Sequence, residues 1–112
     1  MSIDAATYGE LRESVGDEFA TELVDTFLEE APGLLVELRA ALAASDVDGY
    51  RRAAHSLKSN GNTFGALDFA NMARDAEFGG FTGDAGTDTT VLSELEAAYT
   101  VAADELRKLS RG

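Results

Sequence analysis

The chain contains no cysteine, one proline and one histidine, and it has little positive charge. Without cysteine, disulfides and thiolate metal sites are excluded. Nine basic side chains stand against twenty-one acidic ones, a formal charge of −12. That balance argues against nucleic acid as a partner, because phosphate binding relies on clustered Lys and Arg. It also repels anionic membrane surfaces, and no run approaches eighteen consecutive apolar residues. The first twenty residues carry acids and polar groups where a signal peptide needs a basic start and an apolar run. A soluble cytoplasmic protein is the expectation. With 112 residues, 45 % of them apolar, one compact domain spanning 1–112 is expected, with a modest core.

Apolar residues recur at spacings of three and four, the helical period, and no segment alternates in the manner of a strand. A short helix is predicted from Ser2 to Val15, stopped by Gly16 as a left-handed cap. Asp17 is expected to cap a second helix whose stripe is Phe19, Leu23, Phe27, Leu34, Leu38 and Leu42, running to about Ala44, with Pro32 kinking it. Ser45 and Asp46 predict a turn and cap for a third helix with the stripe Val47, Tyr50, Ala54, Leu57, Gly61 and Phe64. A fourth helix is predicted over about Ala66 to Phe78. The segment "GGFTGDAGTD", 79–88, holds four glycines and reads as a flexible connector. A phosphate cradle is the less common reading of such a segment, and P-loop geometry is absent because no Gly-Lys-Ser/Thr follows. The last helix carries Leu92, Leu95, Tyr99, Ala102, Leu106 and Leu109. The expected fold is all-α, an up-and-down four-helix bundle with a short additional N-terminal helix.

The third helix holds the chemistry. His55 lies about 100° around the helix from Ala54, beside the apolar stripe rather than on it. Its neighbours one turn away are Arg51 and Lys58, with Asn62 a turn further and Arg52 nearby. Between Asp48 and Asp68 there is no carboxylate, yet three of the nine basic residues fall within eight positions there. Clustered cations disfavour an imidazolium and suit a neutral imidazole that attacks an electrophile. They suit still better an imidazole made negative by modification, a phosphoryl group carrying roughly −1.5 to −2 charges when on a hydroxyl. On spacing alone the plainer reading, a surface histidine among ordinary helix charges, is the more common one. Ser59, Gly61 and Gly65 follow closely. A mid-helix glycine costs about 1 kcal/mol relative to alanine, so the two glycines need a reason. Close helix packing with a cap at Gly65 is one reason, and a flat approach to the imidazole for a bulky partner is another.

The stretch "AAHSLKSNGNTFGA" resembles the signature of histidine-containing phosphotransfer (HPt) domains: His-x-Leu-Lys-Gly, small residues, then Phe/Leu-Gly-Ala. "LRESVG" and "FLEEAPGLLVELRAALAASD" are similar to the family's opening helices, and "LDFANMARDAE" to its next helix. The chain departs from the pattern at Ser59, where glycine is usual.

The resemblance implies that His55 is phosphorylated through Nε2 and that Lys58 balances the phosphoryl charge; helical spacing adds Arg51 as a nearby cation and Ser59 as a small residue that keeps the approach open. Gly61 would permit the close packing that holds the site. Glu77 stands where a Gln or Glu of the next helix orients the imidazole, and is equally at home as a solvated surface carboxylate. The implied function is a phosphocarrier in a multistep two-component phosphorelay, without autokinase activity. It would exchange phosphoryl groups with response-regulator receiver domains that supply Mg²⁺, downstream of a hybrid sensor histidine kinase. An apolar docking patch is expected near Phe64, or on the first helix at Ile3, Tyr8 and Leu11, with Asn62 beside it.

A monomer is expected, and Met1 with the domain-like length favours a standalone protein. Two alternatives stand beside this reading. One is a helical adaptor that binds such partners without being phosphorylated. The other is an enzyme using His55 as general base, for which no second polar group is evident. A histidine metal site is disfavoured by a single His, no Cys and adjacent cations.

Overall fold

A computed structural model describes residues 3–79 and 81–111, the last by its backbone alone. Among the described residues there are five helices and no strand. They are α1 (Ala5–Val15), α2 (Asp17–Ala44), α3 (Val47–Phe64), α4 (Leu67–Gly79) and α5 (Ala85–Arg111). Short polar side chains and positive-φ residues set most boundaries. Asp4 caps α1, its carboxylate accepting from the Thr7 N–H at 3.0 Å, so the helix starts later than the expected Ser2, which lies outside the described residues. Gly16, at φ +88°, ends α1 and directly precedes α2. Asp17 is therefore not the cap: it sits in the first turn of α2 and pairs with Arg12 at 3.1 Å. Helix α2 runs unbroken through Pro32 and ends at Ser45 in the left-handed region. Asp46 caps α3 through the Gly49 N–H at 3.0 Å, and Gly65 at φ +80° closes it.

Gly80 of the glycine-rich segment lies outside the described residues, and 82–88 are tighter than the composition suggests. Helix α5 already begins at Ala85, because Asp84 accepts the Thr87 N–H at 3.1 Å and the Thr87 hydroxyl. Asp88, only 3 % exposed, reaches back to the preceding turn. It accepts the Thr82 hydroxyl at 2.6 Å and the N–H groups of Thr82 and Gly83 at 3.0–3.2 Å. These bonds favour the ionised form and hold the Asp88 carboxyl below the ordinary carboxylate range, the Thr82 side chain contributing most and desolvation opposing.

Helix α2 packs on α3 and α5, and α4 packs on α3 and α5, while α1 lies against α2 and α3. Inside, Phe27 stacks on Phe64 at 5.2 Å between ring centroids and meets Phe69 and Tyr99 edge-on at 6.4 and 5.8 Å. Such pairs add about 0.5–1.5 kcal/mol each beyond the area they bury. The rest of the core is largely alanine and leucine.

The buried stripe of α2 is Ala20, Val24, Phe27, Ala31, Leu35, Leu38 and Ala41. It is rotated from the expected stripe, so Phe19 is 49 % exposed and Leu34 half-buried. At the other end, Ile3 is buried and its N–H donates to Glu105 at 3.3 Å. The Asp4 N–H donates to the Gly65 carbonyl at 2.7 Å, tying the start of the chain across the end of α3.

Candidate functional site

Tyr50, Ala53, Ala54, Leu57, Gly61 and Phe64 face inward and fix the rotation of α3. That rotation points His55 outward, with 57 % of its side chain exposed. The place of Glu77 depends on α4. A Cβ added to Gly61 would stand 3.0 Å from Phe69 Cδ2 and 3.1 Å from Ala70 Cβ, so the bare glycine lets α4 lie this close to α3. Two turns further along α4, Glu77 then reaches the imidazole. Its Oε2 is 3.1 Å and its Oε1 3.3 Å from His55 Nδ1. A carboxylate only accepts, so Nδ1 carries the hydrogen, and in the neutral ring Nε2 keeps its lone pair.

The same carboxylate serves a second donor. Lys58 Nζ lies 3.3 Å from Glu77 Oε1, and the two side chains are 22 % and 16 % exposed. The ammonium also sits 5.7 Å from the centroid of the Phe78 ring. His55, Lys58 and Glu77 thus form one connected group, with an exposed imidazole and a cation one helical turn away. This arrangement can hold an imidazole in one tautomer and offer positive charge to an anion built on Nε2. Among the described residues, no group of three or more His, Cys, Asp or Glu side chains is placed to hold a metal ion. Nor is any described helix long and apolar enough to cross a membrane.

On its other side His55 borders an open groove of about 630 Å³ between α2 and α3. Gly33, Ser56 and Ser59 keep its lining low, and Glu29, Glu30 and Glu37 line its α2 side. Ser59 and Asn62 are exposed on α3, as is Arg51 a turn before His55.

Of the expected docking residues only Asn62 is exposed. Phe64 is 4 % exposed because its ring stacks on Phe27 in the core. Tyr8 is 3 % exposed because α1 folds down over α2 and α3, and Ile3 is buried with it. None of these three presents a ring or chain to a partner, while Leu11 is half-buried against the core. The exposed aromatic at this site is Phe78, 73 % accessible, which sequence reasoning did not single out as a site residue. Its signal in the sequence was slight: an apolar residue directly after Glu77, off the α4 stripe of Phe69, Ala70, Ala73 and Ala76.

Comparison with known proteins places the chain in a family. The crystal structure of histidine-containing phosphotransfer protein B (HptB) from Pseudomonas aeruginosa PAO1 has the same fold, with a TM-score of 0.88. The match covers 98 % of this chain and 95 % of that one, at 24 % sequence identity. No curated protein matches the sequence significantly. The profile of the Hpt domain family matches residues 22–104, from within α2 to within α5. The chain therefore belongs to the Hpt domain family, the histidine phosphotransfer domains of phosphorelays.

Proposed function

We propose that His55 is the residue that carries the phosphoryl group. The observation behind this is the shared carboxylate: Glu77 holds Nδ1–H at 3.1 Å on an imidazole whose side chain is 57 % exposed, and the neutral ring then keeps its lone pair on Nε2. The Nε2 lone pair attacks phosphorus in an aspartyl phosphate of a receiver domain. The Nε2–P bond forms as the P–O bond to the aspartyl oxygen breaks, and the aspartate returns to its carboxylate. Positive charge developing on the ring is met at Nδ1–H by Glu77, and Lys58 meets the phosphoryl oxygens. Transfer to a second receiver reverses these steps. Arg51 adds positive potential a turn away. Ser59, in the place of the usual glycine, is small enough to leave the approach open.

The remaining parts of the proposal rest on the family membership. On this reading the chain is a carrier that receives its phosphoryl group from other proteins and has no autokinase activity of its own. Receiver domains supply Mg²⁺, and a hybrid sensor kinase stands upstream. We take 1–112 as one HPt domain, a monomer in the cytoplasm, with α2 to α5 as an up-and-down four-helix bundle and α1 as the additional helix.

Phosphorus NMR after exposure to phosphoramidate tests the site. A phosphorus–nitrogen signal is expected in the wild type and absent from His55→Gln. If neither phosphoramidate nor any phosphorylated receiver labels His55, the chain is a binding adaptor instead.

A further inference from the structure

We infer that Phe78 is a positioning residue for Lys58, holding the ammonium beside His55 while its hydrogen-bonding partner changes. This rests on the reading that His55 takes the phosphoryl group.

Lysine normally trails in solvent, yet the Lys58 side chain is only 22 % exposed. Two adjacent residues of α4 confine it. Glu77 offers Oε1 at 3.3 Å, and the Phe78 ring lies 5.7 Å from Nζ, within the range of a cation–π contact. The two holds differ in kind. Glu77 is shared with His55 Nδ1, so its charge is divided between two donors. When phosphoryl oxygens arrive on Nε2 they compete with Oε1 for the ammonium, and that bond is the one to be exchanged. The ring takes no hydrogen bond from Nζ and leaves all three N–H groups available. Lys58 can therefore move from carboxylate to phosphoryl while remaining over the ring.

This also accounts for a large apolar side chain left 73 % exposed next to the site. Confinement matters because an unrestrained lysine gives up much rotamer freedom on engaging an anion. At an exposed site a cation–π contact is worth a factor of about two to five.

The test compares Phe78→Leu, Lys58→Ala and the double variant with wild type. Phe78→Leu keeps apolar bulk and removes the ring's quadrupole at a position exposed enough to leave folding intact. Phosphoramidate is the donor, being too small to need a docking surface: its P–N bond breaks, ammonia leaves, and the Nε2–P bond forms. Phe78→Leu is expected to slow labelling of His55 about two- to five-fold, with no further slowing in the Lys58→Ala background. The Lys58 ε-methylene protons are expected upfield in wild type, both before and after labelling, and at ordinary positions in Phe78→Leu.

Wild-type labelling in Phe78→Leu overturns the assignment, above all if transfer from a phosphorylated receiver is slowed; Phe78 would then be a docking contact alone. Equal slowing by Phe78→Leu with and without Lys58 overturns it as well. A wild type that takes no phosphoryl group from either donor overturns the reading of His55 itself.

Discussion

Replacing Gly61 with alanine sets two effects of known sign against each other. Alanine in a helix interior is favoured over glycine by about 1 kcal/mol, so an open site would be stabilised. Gly61 is not open. The new Cβ would lie 3.0 Å from Phe69 Cδ2, 3.1 Å from Ala70 Cβ and 3.3 Å from the Ala66 carbonyl oxygen. None of these atoms is the free end of a flexible chain. Ala70 Cβ is fixed to the backbone of α4, and the Ala66 oxygen accepts the Ala70 N–H at 2.8 Å. The Phe69 ring is held by Phe27 and Tyr99. Relief must come from α4 moving off α3 by a few tenths of an ångström. Overpacking of this kind costs about 1–3 kcal/mol. The expected balance is a net loss of about 1 kcal/mol, or roughly 3–6 °C in melting temperature.

The displacement should also be felt at the site, because Glu77 lies seven residues, about 10 Å, beyond Ala70 on the same helix. Its bonds to Nδ1 should lengthen, and nitrogen-15 NMR of the imidazole should show a smaller share of the Nδ1–H tautomer. Gly61→Val, placing two more methyl groups in the same space, should lose about 3 kcal/mol in all. The reasoning is refuted if Gly61→Ala raises stability by about 1 kcal/mol and leaves the imidazole spectrum unchanged.

Two further substitutions probe the fold. Asp88→Asn should lower the melting temperature at neutral pH by weakening the hold on Thr82 and Gly83. Because the folded-state pKa of Asp88 is depressed, its contribution is present in full above about pH 4 and is lost as pH falls through that lower value. The wild-type curve of melting temperature against pH should therefore be the steeper of the two below about pH 4, and superimposed curves would remove the role given to this carboxylate. In urea, Phe27→Ala should cost about 3–5 kcal/mol, whereas Phe19→Ser should stay within about 0.5–1 kcal/mol; a large loss at Phe19 would contradict the observed rotation of α2.

The group around His55 was readable because its logic is local. Lys58 one turn along α3 and the acid-free stretch follow from helical spacing, and the glycines marked a close approach. That Glu77 would meet His55 came only with the family resemblance, since no periodicity tells how far α4 slides along α3. The α2 stripe was misplaced for a physical reason. Leucine and phenylalanine dominate any apolar pattern, but Ala20, Ala31 and Ala41 define the buried face, where a short side chain lets neighbouring helices approach. Counting glycines in 79–88 likewise overlooked Asp84 and Asp88, whose carboxylates cap a helix and fasten the turn. The face of Tyr8 depended on where α1 folds down, a long-range matter that the local pattern of α1 leaves open, whereas Phe64 lies on the apolar stripe of α3 and is covered by Phe27 of α2.

The tie from Ile3 and Asp4 to Glu105 and Gly65 bears on what counts as the smallest working unit. A fragment cut to the family match, 22–104, would begin inside α2 and stop before Leu106. It would give up Ile3, Tyr8, Ala20 and Leu106, all of them core residues, and the Asp4 bond that secures the end of α3. The recognisable signature surrounds the histidine, but the fold closes through residues on either side of it. Anyone grafting this phosphoryl-transfer module onto another chain should carry the flanks along, because they complete the core and secure the C-terminal end of α3, the helix that carries His55.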